Sequence, residues 1–131
     1  MIRVLFVCVH NAGRSVMAEA FLNAFAGPGI EALSAGTEPQ PAPHPEVVDA
    51  MRDAGIDVSE HRGRVLDDAL VTSADRVITM GCAVDEAACP AIRYAGVEDW
   101  ALADPKARTP EEVSKIRDEI EARVRQLLET L

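Results

Sequence analysis

Val4-Leu5-Phe6-Val7-Cys8-Val9-His10-Asn11-Ala12-Gly13-Arg14-Ser15 joins a short apolar run to a helical pattern over residues 15–25. Strand, loop and helix follow one another there, with a thiol at the loop's start. Backbone N–H groups of a short loop that opens a helix converge on a concavity, and the helix N-terminus adds positive potential. The segment Val9, His10, Asn11, Ala12, Gly13, Arg14 and Ser15 is therefore a candidate oxyanion site, in which Arg14 offers a fork of donors to a tetrahedral anion. The same field favours a thiolate at Cys8, toward which the Ser15 hydroxyl can donate. Cys8, Arg14 and Ser15 are candidate catalytic residues for attack on a phosphate-like substrate. His10 is expected to point outward, because the loop amides must face the anion.

The chain has 131 residues, 48% of them hydrophobic, and no long biased tract, which predicts one domain over residues 1–131 with a real core. No apolar run approaches the ~18 residues of a membrane span, and the first strand is too short for a signal sequence. A cytoplasmic protein is expected. Three cysteines cannot all pair internally, so reactive or buried thiols are favoured over a disulfide framework. A net charge of −9 argues against nucleic acid and anionic membrane as partners. Capture of an anion must then be local: repulsion from the whole chain is screened over about 8 Å, while amides and Arg14 act at contact distance.

Strand signals at residues 3–7, 31–34, 76–80 and 92–94 alternate with helical patterns, which predicts an α/β fold with a four-stranded parallel sheet and helices on both faces. The first helix carries Met17, Ala20, Phe21 and Ala24 on one face and stops at Gly27-Pro28-Gly29. A second begins at His44-Pro45, carries Val47, Val48 and Met51, and ends at Gly55. Val113, Ile116, Ile120, Val124, Leu127 and Leu131 form the apolar stripe of an amphipathic closing helix. Residues 37–45 hold four prolines and read as a stiff surface connection in preference to a polyproline ligand. No exposed apolar helix face is evident beyond the core stripe, so a monomer is expected.

Asp104-Pro105 falls in the loop before the closing helix, at the sheet end where catalytic groups gather in parallel folds. Asp104 is a candidate proton donor to a departing oxygen, against the alternative of plain turn chemistry. Cys82 and Cys89 follow the third strand with six residues between them, too many for the usual zinc spacing. On a helix their sulfurs would stand about 10 Å apart, whereas a disulfide needs Cα atoms within ~7 Å. A relay disulfide coupled to unwinding and a pair of buried structural thiols both remain open at this point. His10, His44 and His61 match no metal spacing and read as solvent or cap residues; no metal and no bound cofactor are expected.

Cys8-x5-Arg14-Ser15, Cys82-x6-Cys89-Pro90 and Asp104-Pro105 together resemble arsenate reductases built on the low-molecular-weight protein tyrosine phosphatase fold, particularly the thioredoxin-coupled branch. Asn11, Met17-Ala18-Glu19, Ser34-Ala35-Gly36, Ile56-Asp57-Val58-Ser59 with His61, and residues 116–120 share the likeness, which covers essentially the whole chain. The resemblance implies that Cys8 attacks As(V) while Arg14 and the loop amides hold the oxyanion and Asp104 protonates the leaving hydroxide. It further implies that Cys82 attacks the Cys8 sulfur and expels arsenite. Cys89 then attacks Cys82 and leaves a disulfide for an external dithiol donor: thioredoxin, or a donor of mycoredoxin or glutaredoxin type. Asn11 and Ser15 would support the loop and the thiolate. Some members bind potassium through an Asn, a Glu and a Ser; here Asn11, Glu19 and Ser34 remain, but His61 is followed by Arg62-Gly63-Arg64. A guanidinium near Glu19 is expected to replace that cation.

Two rival functions share the first half of this chemistry. A phosphatase of the same fold would let water attack a Cys8 phosphoenzyme, and Lys106-Ala107 after Asp104-Pro105 lacks the aromatics such enzymes place there. A non-catalytic oxyanion sensor would keep the loop and use the thiols for redox switching alone.

Overall fold

Five apolar positions in a row suit a strand covered on both faces, and β1 (Ile2–Cys8) is fully buried from Val4 to Cys8. The computed structural model describes residues 1–80 and 97–131. Within them β2 (Ile30–Gly36), β3 (Arg76–Thr79) and β4 (Val97–Asp99) complete an all-parallel sheet in the order β2-β1-β3-β4. The helices are α1 (Arg14–Phe25), α2 (Pro45–Asp53), α3 (Asp68–Ser73) and α4 (Pro110–Glu129).

Successive β1 side chains go to opposite faces of the sheet. Val4, Phe6 and Cys8 meet Met17 and Phe21 of α1, Met51 of α2, and Ile120 and Val124 of α4. Leu5 and Val7 pack with Leu66, Val77 and Val71 of α3 on the other side. The expected parallel sheet with helices on both faces is the one found. Phe6 and Phe21 are fully buried, and burial of each side chain of this size contributes about 1.5–3 kcal/mol.

The second helix begins where its sequence signal puts it. His44 caps α2 with Pro45 in its first turn, and Gly55, at φ +84°, turns the chain away after it. Thr109 and Glu112 form a reciprocal capping box on α4, whose Val113, Ile116, Ile120, Val124 and Leu127 are buried as the spacing predicts. Leu131 lies past the helix end and is half-buried.

Two expectations need correction or fall away, and one helix was not expected. Ala24 is exposed, and α1 instead buries Ser15, Val16, Met17, Ala18, Phe21 and Leu22, because it lies between the sheet and α4 and is covered on more than one side. The six-residue α3 has no counterpart among the expected elements; Asp67 caps it by accepting from the Leu70 N–H. The strand expected at residues 92–94 lies outside the described residues, and the fourth strand they do contain is Val97–Asp99.

Candidate active site

Cys8 is the last residue of β1 and is paired in register with Gly36, so the sulfur stands at the carboxyl edge of the sheet. In a parallel sheet the crevice beyond those ends is where ligands bind. A side chain at Gly36 would collide with the carbonyl of Val9, so only glycine lets the loop pass this close to β2. Cys8 itself is 4% exposed.

Two donors address the sulfur. The Asn11 N–H points at Cys8 Sγ at 3.2 Å, and Ser15 Oγ lies 2.9 Å from it. Asn11 Nδ2 donates to that same Ser15 oxygen at 2.9 Å, which directs the hydroxyl proton toward sulfur. The arrangement favours sulfur as an acceptor, the role of a thiolate.

Asn11 holds the loop's shape. It is fully buried with φ +48°, a left-handed conformation that Asn adopts more readily than most residues. Its Oδ1 accepts from the Arg64 N–H at 3.0 Å and faces His61 Nε2 at 3.3 Å. His61 Nδ1 faces Glu19 Oε2 at 3.3 Å, and Ser34 Oγ donates to the same oxygen at 3.0 Å. Both ring nitrogens thus face oxygen acceptors. His61 is therefore no solvent or cap residue: it ties α1 and β2 to the oxyanion loop. The expected guanidinium at Glu19 is replaced by this imidazole, because Arg62 Nη1 turns to the carbonyls of Ser59 and His61 and Arg64 contributes its backbone N–H.

The proline-rich segment does more than connect. Glu38 N–H donates to Val9 O at 2.8 Å, Gln40 N–H to His10 O at 2.8 Å, and His44 N–H to Ala12 O at 2.9 Å. Prolines have no N–H, so the residues set between them supply the donors on a stiff backbone. With three loop carbonyls tied outward, the N–H groups of Val9, His10, Ala12 and Gly13 have no acceptor among the described residues. Unpaired amides gathered on one concavity are what an oxyanion needs.

Arg14 opens α1 and donates from Nη1 to Leu102 O at 2.8 Å, which links the oxyanion loop to the segment after β4. Gly13 lets Pro105 pack closely: an added Cβ would stand 3.0 Å from Pro105 Cγ. Asp104 lies on the exposed turn there, with Oδ1 accepting from the Lys106 N–H at 3.0 Å. Cys8, Val9, His10, Gly13, Arg14 and Asp104 line one cleft of about 310 Å³, together with Glu38 and His44. The chain segments thus bring a thiol, a guanidinium and a carboxyl group, far apart in sequence, to one opening.

His10 is half-buried, with its Nε2 3.8 Å from Glu38 Oε2, and lines the cleft from the rim. Ser15 and Asn11 sit behind the sulfur, away from the opening. Cys82 and Cys89 lie outside the described residues. Reading the sequence alone overlooked the Glu38, Gln40 and His44 donors and the Leu102 carbonyl; regular alternation of proline with other residues beside a glycine-containing loop was the one available signal. Among the described residues no group of three or more His, Cys, Asp or Glu is placed to hold a metal ion, and no helix is long and apolar enough to cross a membrane.

A cysteine at the head of a strand-loop-helix oxyanion cradle, on a parallel sheet of this order, defines a class of thiol enzyme acting on tetrahedral anions. The chain belongs to the low molecular weight phosphotyrosine protein phosphatase family, whose model matches residues 3–131. Among its relatives is an arsenate reductase of Bacillus licheniformis, 37% identical across 97% of this chain and 95% of its own. A solved thioredoxin-dependent arsenate reductase of Corynebacterium glutamicum superposes with a TM-score of 0.80 at 35% identity over 99% of this chain, which spans 61% of that longer protein. A low molecular weight protein tyrosine phosphatase from T. tengcongensis superposes with a TM-score of 0.81 at 30% identity over 100% of both chains.

Proposed function

We propose that this chain reduces arsenate to arsenite, acting as one cytoplasmic, monomeric domain over residues 1–131 with an external dithiol as reductant and no resident cofactor. The observation that carries the reading is the sulfur of Cys8 set beside Arg14 and among the amides of Val9, His10, Ala12 and Gly13, which have no acceptor among the described residues, at the floor of a cleft that Asp104 also lines. Arsenate binds there through the amides and the guanidinium. The Cys8 thiolate attacks arsenic and hydroxide departs with a proton from Asp104, giving a thiol-arsenate adduct. Cys82 attacks the Cys8 sulfur; an S–S bond forms, the S–As bond breaks, and arsenic keeps the electron pair and leaves as arsenite. Cys89 then attacks Cys82, restores the Cys8 thiolate and leaves a Cys82–Cys89 disulfide for thioredoxin or a donor of mycoredoxin or glutaredoxin type.

The names of the relatives support arsenate over a phosphate ester, as do the two further cysteines that a reductase needs and a phosphatase does not. A second reading, a phosphatase working through a Cys8 phosphoenzyme, is supported by the family's own description and by the likeness to the T. tengcongensis enzyme. Against it stands Lys106 where phosphatases of this fold carry an aromatic wall. Replacement of Cys82 by serine separates the two. A reductase stalls after the first thiol-arsenic step and loses catalytic arsenite release, while slow hydrolysis of p-nitrophenyl phosphate is unchanged. Arsenite release at the parental rate in C82S removes the relay.

A further inference from the structure

Beside the Cys8 cleft lies a second hollow of about 250 Å³, lined by His10, Gln40, His44 and Lys106. His10 and His44 line both spaces, so the hollow continues the active-site opening. Its lining carries no acidic residue, in a chain with 22 acidic residues against 13 Lys and Arg. The backbones that carry these groups are hydrogen-bonded: Gln40 and His44 donate to the oxyanion loop, and the Lys106 N–H donates to Asp104 Oδ1. The side chains of Gln40, His44 and Lys106, in contrast, have no hydrogen-bond or ion-pair partner among the described residues. Uncommitted donors thus surround one space next to the anion cradle, two of them carried on backbone tied to the oxyanion loop.

We propose that this hollow is a carboxylate subsite. It takes the carboxylate of an organic phosphate or phosphonate whose tetrahedral group rests on the Cys8 loop. The permanent charge in the lining is one ammonium, with imidazole and carboxamide donors around it, and that set suits a monoanion better than a second dianionic phosphate. Lys106 stands two residues from Asp104, so a carboxylate bound there lies on the side of the cleft from which a leaving group departs. The subsite extends the ligand range of the proposed oxyanion site beyond inorganic arsenate, and it rests on the loop being that site.

Titration calorimetry of the reduced protein with methylphosphonate, with alkylphosphonates, and with phosphonocarboxylates of one to four methylenes tests this. One phosphonocarboxylate is expected to bind about tenfold tighter than the alkylphosphonate of equal length, the scale of one charge-assisted hydrogen bond. In K106M that gain falls to within about twofold while methylphosphonate binds as it does to the parent, and in K106E the alkylphosphonate becomes tighter than its matched phosphonocarboxylate. Equal affinities for the matched pairs in the parent protein, or a gain that survives in K106E, overturn the subsite but leave the oxyanion loop standing. Failure of every phosphonate to bind, methylphosphonate included, overturns the loop reading and the subsite with it.

Discussion

The oxyanion loop and the Asp104 turn face each other across one cleft, yet they are held in opposite ways. Residues 8–15 are locked from behind: Asn11 alone joins Cys8, Ser15, His61 and Arg64, and three loop carbonyls are tied by the proline-rich strap. The Asp104 turn is exposed. Two local bonds, from the Lys106 N–H to Asp104 Oδ1 and from Arg108 Nε to Asp104 O, and one to α2, from the Ala107 N–H to Glu46 Oε1 at 3.2 Å, hold it. A group that must present several dipoles to an anion at once needs rigidity, because each amide works only in its place. A proton donor has one bond to make and tolerates a looser support. In the proposed mechanism the site therefore divides into a precise half that binds and a permissive half that transfers a proton.

Substitutions can break this contrast. Asn11→Ala strikes the rigid half: it removes the side chain that serves Ser15, His61 and the Arg64 N–H, and puts a less suitable residue at a positive φ. We expect turnover to fall more than about a hundredfold and stability by about 2–3 kcal/mol, measured by steady-state rate and urea unfolding, since buried partners are left unsatisfied. Asp104→Asn strikes the permissive half. It should lower kcat about a hundredfold while KM changes little, with unfolding shifted by less than about 0.5 kcal/mol. A large stability loss in D104N, or none in N11A, would erase the distinction.

The smallest effect belongs to a site remote from both. Thr109→Ala removes the cap of α4 and should cost about 1 kcal/mol of stability with kcat unchanged. Bonds from Arg108 and then Thr109 hold the Glu112 carboxyl below its ordinary range. The contribution of that carboxylate is complete above the ordinary glutamate pKa and is lost as pH falls through the lowered value. The gap between T109A and the parent should therefore narrow in acid unfolding measurements.

What the sequence made legible follows the same division. The β1-loop-α1 unit was readable because its signals are contiguous: an apolar run, a thiol, a spaced arginine and a helical pattern. The start of α2 at His44-Pro45 was readable for the same reason. His61 was not, because its partners Asn11 and Glu19 are distant in the chain and an isolated histidine carries no period. The strap was read as a connection, since proline content shows stiffness but not which neighbouring N–H groups will be used. The six residues of α3 are too few to establish a helical period. β4 has three residues, all exposed, and offers no apolar alternation. At the site, the residues that meet the anion were legible as a motif, whereas those that hold the motif in shape were scattered along the chain.

The most direct measurement is to incubate the fully reduced protein with arsenate, quench with an alkylating agent, and map the cysteines by mass spectrometry while assaying arsenite. The account predicts one equivalent of arsenite and a disulfide between Cys82 and Cys89, shifting to Cys8–Cys82 when Cys89 is replaced by serine. Three alkylated cysteines with no arsenite, from protein that still binds phosphate at the loop, would contradict it.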